Sequence, residues 1–168
     1  MPSSSLALDG LIEITLTVNG ESVTGRADAR THLVDFLRRE FGLTGSHLGC
    51  EQGVCGACTV RLDGRIVRGC LIYAVQAAGR RVETIEGLSD SGEIADLQAA
   101  FHERNALQCG YCTPGMLLTA AELLAMRPNA GRAEIRRFLS GNFCRCTGYQ
   151  AIVDAVDATA KRRQVARR

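Results

Sequence analysis

The residues with chemistry to offer are the cysteines. There are eight, and they divide into two complete sets of four with none left over. Cys50, Cys55, Cys58 and Cys70 read C-x4-C-x2-C-x11-C. Cys109, Cys112, Cys144 and Cys146 read C-x2-C-x31-C-x-C. Thiolates bind zinc and iron–sulfur clusters, and both take four ligands. In a reducing compartment, a cysteine-rich chain reads as metal-binding or redox-active rather than disulfide-bonded.

The early spacing is the one that wraps a [2Fe–2S] cluster in plant-type ferredoxins, with three thiolates on a short loop and the fourth on a neighbouring element. Gly49, Gly53 and Gly56 let the backbone approach closely and turn N–H groups toward sulfur. Such hydrogen bonds stabilise the reduced, more negative cluster. In the late set, Cys109 and Cys112 stand just ahead of a helix start at Thr113-Pro114, and Cys144 and Cys146 just ahead of a cap at Thr147. Helix N-termini favour negative charge, so these thiols are expected at lowered pKa. Structural zinc is the competing reading, and it competes better at the late set than at the early one. Zinc knuckles come as paired C-x2-C, which matches neither the x4 gap nor the C-x-C end. The C-x2-C-x2-C-x3-C-P run of [4Fe–4S] ferredoxins is absent. Buried free cysteines are the plainest reading, and two complete fours argue against it.

Little else in the chain suggests catalysis. No two of His32, His47 and His102 stand at metal-ligand spacing. His47, three residues before Cys50, reads as an ordinary loop histidine rather than one that tunes a metal centre. Tyr111 and Phe143 read as shields beside the late cysteines, and Met116–Leu118 as core. There is no phosphate-cradling glycine loop and no Ser-His-Asp or Cys-His pattern, so no catalytic residue is assigned to this chain.

The elements that must position these thiols differ between the two halves. Ile12, Ile14, Leu16 and Val18 alternate with Glu13, Thr15 and Thr17, the pattern of a half-buried strand. Asn19-Gly20 is a hairpin turn returning through residues 21–27. Leu33, Phe36, Leu37 and Phe41 recur at helical spacing over 31–41. Thr59–Leu62 and Ile66–Arg68 flank Asp63-Gly64, a second hairpin, and Val82–Ile85 reads as one more strand. Residues 1–86 therefore read as a small mixed sheet crossed by one helix. Gly87–Gly92 reads as a linker. Beyond it Ile94, Leu97 and Phe101 share a helix face, with Asp90 and Glu93 as a capping box. Thr113-Pro114 caps a helix through Leu124. Ile135, Phe138 and Leu139 mark another, and Thr147 with Gln150 caps a last one through Val156. Residues 87–168 thus read as a four-helix domain. Each half has about 80 residues, a size at which a hydrophobic core alone stabilises little and a metal centre would staple the fold.

Composition narrows the class. Hydrophobic residues at 46% and charged residues at 23% are those of an ordinary globular domain, and no apolar run is long enough to span a bilayer. Met1-Pro2-Ser3-Ser4-Ser5 shows no basic stretch followed by an apolar core, which sets the expectation of a cytoplasmic protein. Net charge is +2, of which Lys161, Arg162, Arg163, Arg167 and Arg168 supply five positive charges. That basic end is expected to be solvated or disordered, and nothing else suggests nucleic-acid binding.

Three segments carry a resemblance. Gly49-Cys-Glu-Gln-Gly-Val-Cys-Gly-Ala-Cys-Thr-Val60, Gln108-Cys-Gly-Tyr-Cys-Thr-Pro-Gly115 and Gly141-Asn-Phe-Cys-Arg-Cys-Thr-Gly-Tyr149 resemble the signatures of the xanthine oxidase family. The likeness runs from about Leu11 to about Ala160 and is closest to the free-standing small subunit of bacterial members. It implies an α+β chain, an N-terminal β-grasp [2Fe–2S] ferredoxin-like domain followed by a C-terminal four-helix [2Fe–2S]-binding domain. All eight cysteines would ligate iron, and Gln108 and Cys146 would approach a pterin. A large subunit would carry molybdenum pyranopterin, a medium subunit FAD, and two such trimers would pair. The small subunit would pass electrons from molybdenum through its two clusters to FAD. The substrate class could be an aldehyde, carbon monoxide or an aryl-CoA, with an N-heteroaromatic compound favoured. Phe143 stands where many relatives have leucine, and Asn129-Ala-Gly131 replaces a Ser/Thr-type helix start. The rival function is a zinc-stabilised interaction module with no redox role.

The two cysteine sets predict about four irons and about four acid-labile sulfides per chain. Stoichiometric zinc without sulfide, on metal analysis of the purified protein, would establish the rival.

Overall fold

The computed structural model describes residues 10–166. The Met1–Ser5 segment read for an export signal and the terminal Arg167 and Arg168 lie outside the described residues.

The first half is built on period-two alternation. β1 (Ile12–Val18) turns Ile14, Leu16 and Val18 into the core. It pairs antiparallel with β2 (Glu21–Ala27). Asn19 (φ 51°) and Gly20 (φ 91°) both take the left-handed backbone that a two-residue hairpin turn demands. α1 (Leu33–Glu40) buries Leu33, Val34, Phe36 and Leu37. β3 (Thr59–Leu62) and β4 (Arg65–Arg68) form the second hairpin, closed by Asp63 and Gly64 at φ 49° and 82°. β5 (Arg81–Glu83) lies between β1 and β3, parallel to the first and antiparallel to the second. The sheet order is β2-β1-β5-β3-β4, a mixed β-grasp sheet covered by α1.

The strand expected over Val82–Ile85 is shorter. Ile85 opens α2 (Ile85–Asp90), a helix where a linker was expected. Two anchors explain this. Ile85 and Leu88 are buried in the helical core, and the Asn19 side chain accepts the Thr84 N–H at 2.8 Å while Gly87 packs on Asn19. The polar, glycine-containing sequence concealed a segment tied down from both halves.

The second half is helical: α3 (Ala95–Glu103), α4 (Thr113–Met126), α5 (Arg132–Leu139) and α6 (Gln150–Ala166). α4 is buried nearly all round and forms its centre. Neither expected capping box forms. Ile94 occupies the α3 N-cap, and Glu93 instead pairs with Arg61 at 2.7 Å. α6 starts at Gln150, whose side chain meets Asp154 and Arg136, while the Thr147 hydroxyl accepts the Tyr149 N–H. α4 begins one residue early, with Cys112 at the cap and Thr113 as its first residue. As far as Ala166 the basic end is helix rather than loose tail: within α6, Lys161, Arg162 and Arg163 pair with Asp157, Glu103 and Asp96.

Phe36 is fully buried and meets Phe41 edge-on at 5.2 Å. Phe36→Ala should cost about 3–5 kcal/mol in denaturant unfolding. A loss well under 1 kcal/mol would show that this ring is not central to the sheet core.

Candidate functional site

The early thiols sit where the sheet half is most tightly braced. Cys50, Cys55 and Cys58 lie on the loop between α1 and β3, and Cys70 on a single 3-10 turn after β4. The Arg38 guanidinium donates to the carbonyls of Thr44 and Ser46, pinning the start of the loop to α1. The Gly69 N–H donates to the Cys58 carbonyl at 3.0 Å and draws the fourth cysteine to the third. Cys58 and Cys70 are buried against Val34. The Cys50 sulfur accepts N–H groups from Gln52 and Cys55, both at 3.4 Å, and these hold its pKa down to about 7. Burial pushes the Cys58 thiol up to about 12, although the Cys70 backbone N–H works against it.

The late thiols are gathered by two helix starts. Cys109 and Cys112 precede α4, and Cys144 and Cys146 lie on the loop between α5 and α6. The Cys109 and Cys146 sulfurs are 3.6 Å apart, and Cys112 neighbours Cys144. The expectation that helix dipoles lower these pKa values fails at Cys112, which burial pushes up to about 12. At Cys144 burial acts upward too, but hydrogen bonds from Thr147 outweigh it and the pKa falls. Cys146 is raised by its hydrogen bond with Cys109. Because α6 begins only at Gln150, Cys144 and Cys146 are not at its first turn.

Cys109 and Cys146 form one close pair, and Cys50 neighbours Cys55, Cys58 neighbours Cys70 and Cys112 neighbours Cys144. Two thiolates sharing one tetrahedral metal at about 2.3 Å lie about 3.8 Å apart, close to the Cys109–Cys146 spacing. A two-iron cluster takes two thiolates on each iron, so paired pairs suit it. A single zinc requires all four sulfurs around one point.

Sequence reasoning missed the seam between the two sets. The Phe143 N–H donates to the Cys55 carbonyl at 2.8 Å. Asn142, almost fully buried, donates from Nδ2 to the Gly56 carbonyl at 3.2 Å and accepts from Thr119 and Arg68. Arg68 also donates to the Gly141 carbonyl at 2.6 Å. Gly56 (φ 75°) lies directly against Asn142, and a Cβ on Gly115 would land on the Gly56 carbonyl oxygen. The only hint in the sequence was an amide placed between Gly141 and an aromatic. His47, read as an ordinary loop residue, stacks on Tyr111 across the same seam. Tyr111 and Phe143 do wall the cleft of about 190 Å³ that thiols of both sets line. Gln108 donates to the Cys146 carbonyl at 3.1 Å, so the two residues proposed to approach a pterin are adjacent and exposed.

The comparisons agree with this arrangement. Residues 16–84 match the 2Fe-2S iron-sulfur cluster binding domain family, and residues 84–157 the [2Fe-2S] binding domain family. The chain is 53% identical over 145 residues to the nicotine 6-hydroxylase small subunit of Paenarthrobacter nicotinovorans, covering 86% of this chain and 87% of that protein. It is 48% identical over 157 residues to the caffeine dehydrogenase subunit gamma of Pseudomonas sp. strain CBB1, covering 92% and 94%. Among solved structures, quinoline 2-oxidoreductase from Pseudomonas putida 86 superposes with a TM-score of 0.87 at 48% identity, covering 93% of this chain and 98% of that one. The fold and the two matched domains together define a two-site [2Fe–2S] protein. The chain belongs to the small iron–sulfur subunits of the xanthine oxidase family, the molybdenum hydroxylases.

Cys55→Ala removes a sulfur but keeps the carbonyl that Phe143 uses. It should abolish one of two paramagnetic signals after dithionite reduction and spare the other, and Cys112→Ala should do the converse. Loss of both signals from either variant, with the other half folded, would show that the cysteines are wrongly grouped.

Proposed function

We propose that this chain passes electrons from a molybdenum pyranopterin on a large partner subunit, through its late and then its early [2Fe–2S] cluster, to FAD on a medium subunit. Cys109, Cys112, Cys144 and Cys146 hold the late cluster, and Cys50, Cys55, Cys58 and Cys70 the early one. The division between the two halves falls ahead of α2, whose Ile85 and Leu88 pack in the helical core, and two trimers pair. When bound, the clusters supply one-electron redox chemistry, and this chain contributes their ligands, spacing and shielding. No residue of the chain transforms substrate.

The observation that carries the reading is the Phe143 N–H to Cys55 carbonyl hydrogen bond. Phe143 is bonded to Cys144, so one ligand of each set is joined through a single hydrogen bond. Electron tunnelling falls steeply with distance, and this contact brings the two centres into a short chain. Exposure supports the order. Cys109 and Cys146 are exposed, with Gln108 bonded to Cys146. This end can meet a cofactor on a partner, and Gln108 there serves as a hydrogen-bonding group, since an amide does not titrate. Leu107, Tyr111 and Phe143 leave apolar surface around it, and Val54 and Leu71 do so beside the early cysteines. Such surface suits burial against partner chains.

The substrate of the complex is inferred to be an N-heteroaromatic compound. The names of the nicotine, caffeine and quinoline relatives support this over an aldehyde, carbon monoxide or an aryl-CoA. Thiolate ligands suit a reducing compartment, which favours the cytoplasm. No helix among the described residues is long and apolar enough to cross a membrane.

Rapid mixing of the assembled complex with substrate tests the order. Without the early cluster, molybdenum and the late cluster should still be reduced while FAD reduction nearly stops. Fast flavin reduction in that complex would reverse the assignment.

A further inference from the structure

We infer that His47 and Tyr111 form a positioning latch that holds the two cysteine loops at a fixed separation. The inference rests on the two-cluster reading above. His47 is held on the sheet side by its backbone. Its N–H donates to the Ala57 carbonyl at 3.2 Å, and the preceding carbonyl, of Ser46, accepts from Arg38 at 2.7 Å. Tyr111 stands between Cys109 and Cys112 on the helical side.

Three interactions converge on these two side chains. The rings stack at 4.4 Å between centroids, with their planes 19° apart. His47 Nδ1 lies 2.9 Å from the Tyr111 carbonyl, and because a carbonyl only accepts, Nδ1 carries the hydrogen. The Tyr111 hydroxyl donates to the Leu48 carbonyl at 2.6 Å. Each residue therefore bonds the backbone of the other's loop, and the stack lies between these two bonds.

The Asn142–Phe143 contact is a separate attachment: it ties the loop between α5 and α6 to the same sheet-side loop, while the latch ties the segment before α4. The latch therefore acts on the segment that carries Cys109 and Cys112, which the Asn142–Phe143 contact does not touch. Tyr111 also walls the cleft lined by Cys55, Cys109, Cys112, Cys144 and Cys146. Releasing the latch should change the gap between the clusters without removing any ligand. A stack that served stability alone would lower the melting temperature and leave the gap unchanged.

The test uses the cluster-loaded chain as wild type and as H47A, Y111A, the double variant and Y111F. Iron and sulfide analysis reads the two-cluster assignment. Low-temperature paramagnetic resonance of the fully reduced protein reads the distance-dependent spin–spin interaction between clusters. The latch predicts full iron content in H47A and Y111A with a shifted or lost interaction, and no further change in the double variant, because the two residues act as a unit. A wild-type interaction in any iron-replete alanine variant overturns the latch. Should the alanine variants lose iron, Y111F decides. It keeps the ring and every cysteine but not the bond to Leu48, so a shifted interaction supports the latch and an unchanged one overturns it. A wild-type chain lacking iron and sulfide overturns the two-cluster reading, and the latch with it.

Discussion

Gathering thiols is the constraint on which the rest of the structure depends. Sulfurs that will be charged repel one another and resist burial, yet a cluster needs them in pairs at a separation such as the 3.6 Å between Cys109 and Cys146. Each set meets this by joining segments distant in sequence: the α1–β3 loop to the turn after β4, and the start of α4 to the loop before α6. The sheet and the helices serve as frames that oppose this repulsion. Cys58 and Cys112, both raised to about 12 as thiols, show how strongly the frame resists charge without a cation present. A bound metal reverses that balance, because a coordinated thiol is deprotonated outright.

Metal binding at such sites would be coupled to folding. Binding free energy at sites assembled only in the folded chain is also folding free energy. The hydrophobic clusters of the two halves are separate and modest in size. They are joined by polar contacts such as those of Asn142, Arg68 and Asn19, which are directional and specify one docking geometry. The surface pairs along α6 contribute less, since exposed ion pairs are worth roughly 0–1 kcal/mol each. They account for the order of the helix end rather than for the position of the cysteines.

Much of this was legible in the sequence. Period-two alternation and the Asn19-Gly20 and Asp63-Gly64 turns located both hairpins, because those turns require a backbone that few residue pairs adopt. The helical faces through Phe36, Leu97, Met116 and Ile135 were equally visible. Capping boxes were misread, because Glu93 and Gln150 found partners far away or on neighbouring elements. The linker at Gly87–Gly92 was misread because Leu88 buries itself in a core made mostly by later residues.

By itself the sequence determined the chemistry: which eight side chains are thiols, how they divide, and which local turns and helices carry them. Those are properties of residue type and short-range spacing. Only the tertiary structure decided how the two sets meet. The Phe143–Cys55 hydrogen bond, the burial of Asn142 between Gly56 and Thr119, and the His47–Tyr111 stack join residues separated by 23 to 88 positions. No local propensity encodes such contacts. They arise when β3 and β4 pack on α4 and bring the two loops together, so the relation between the centres is a product of packing.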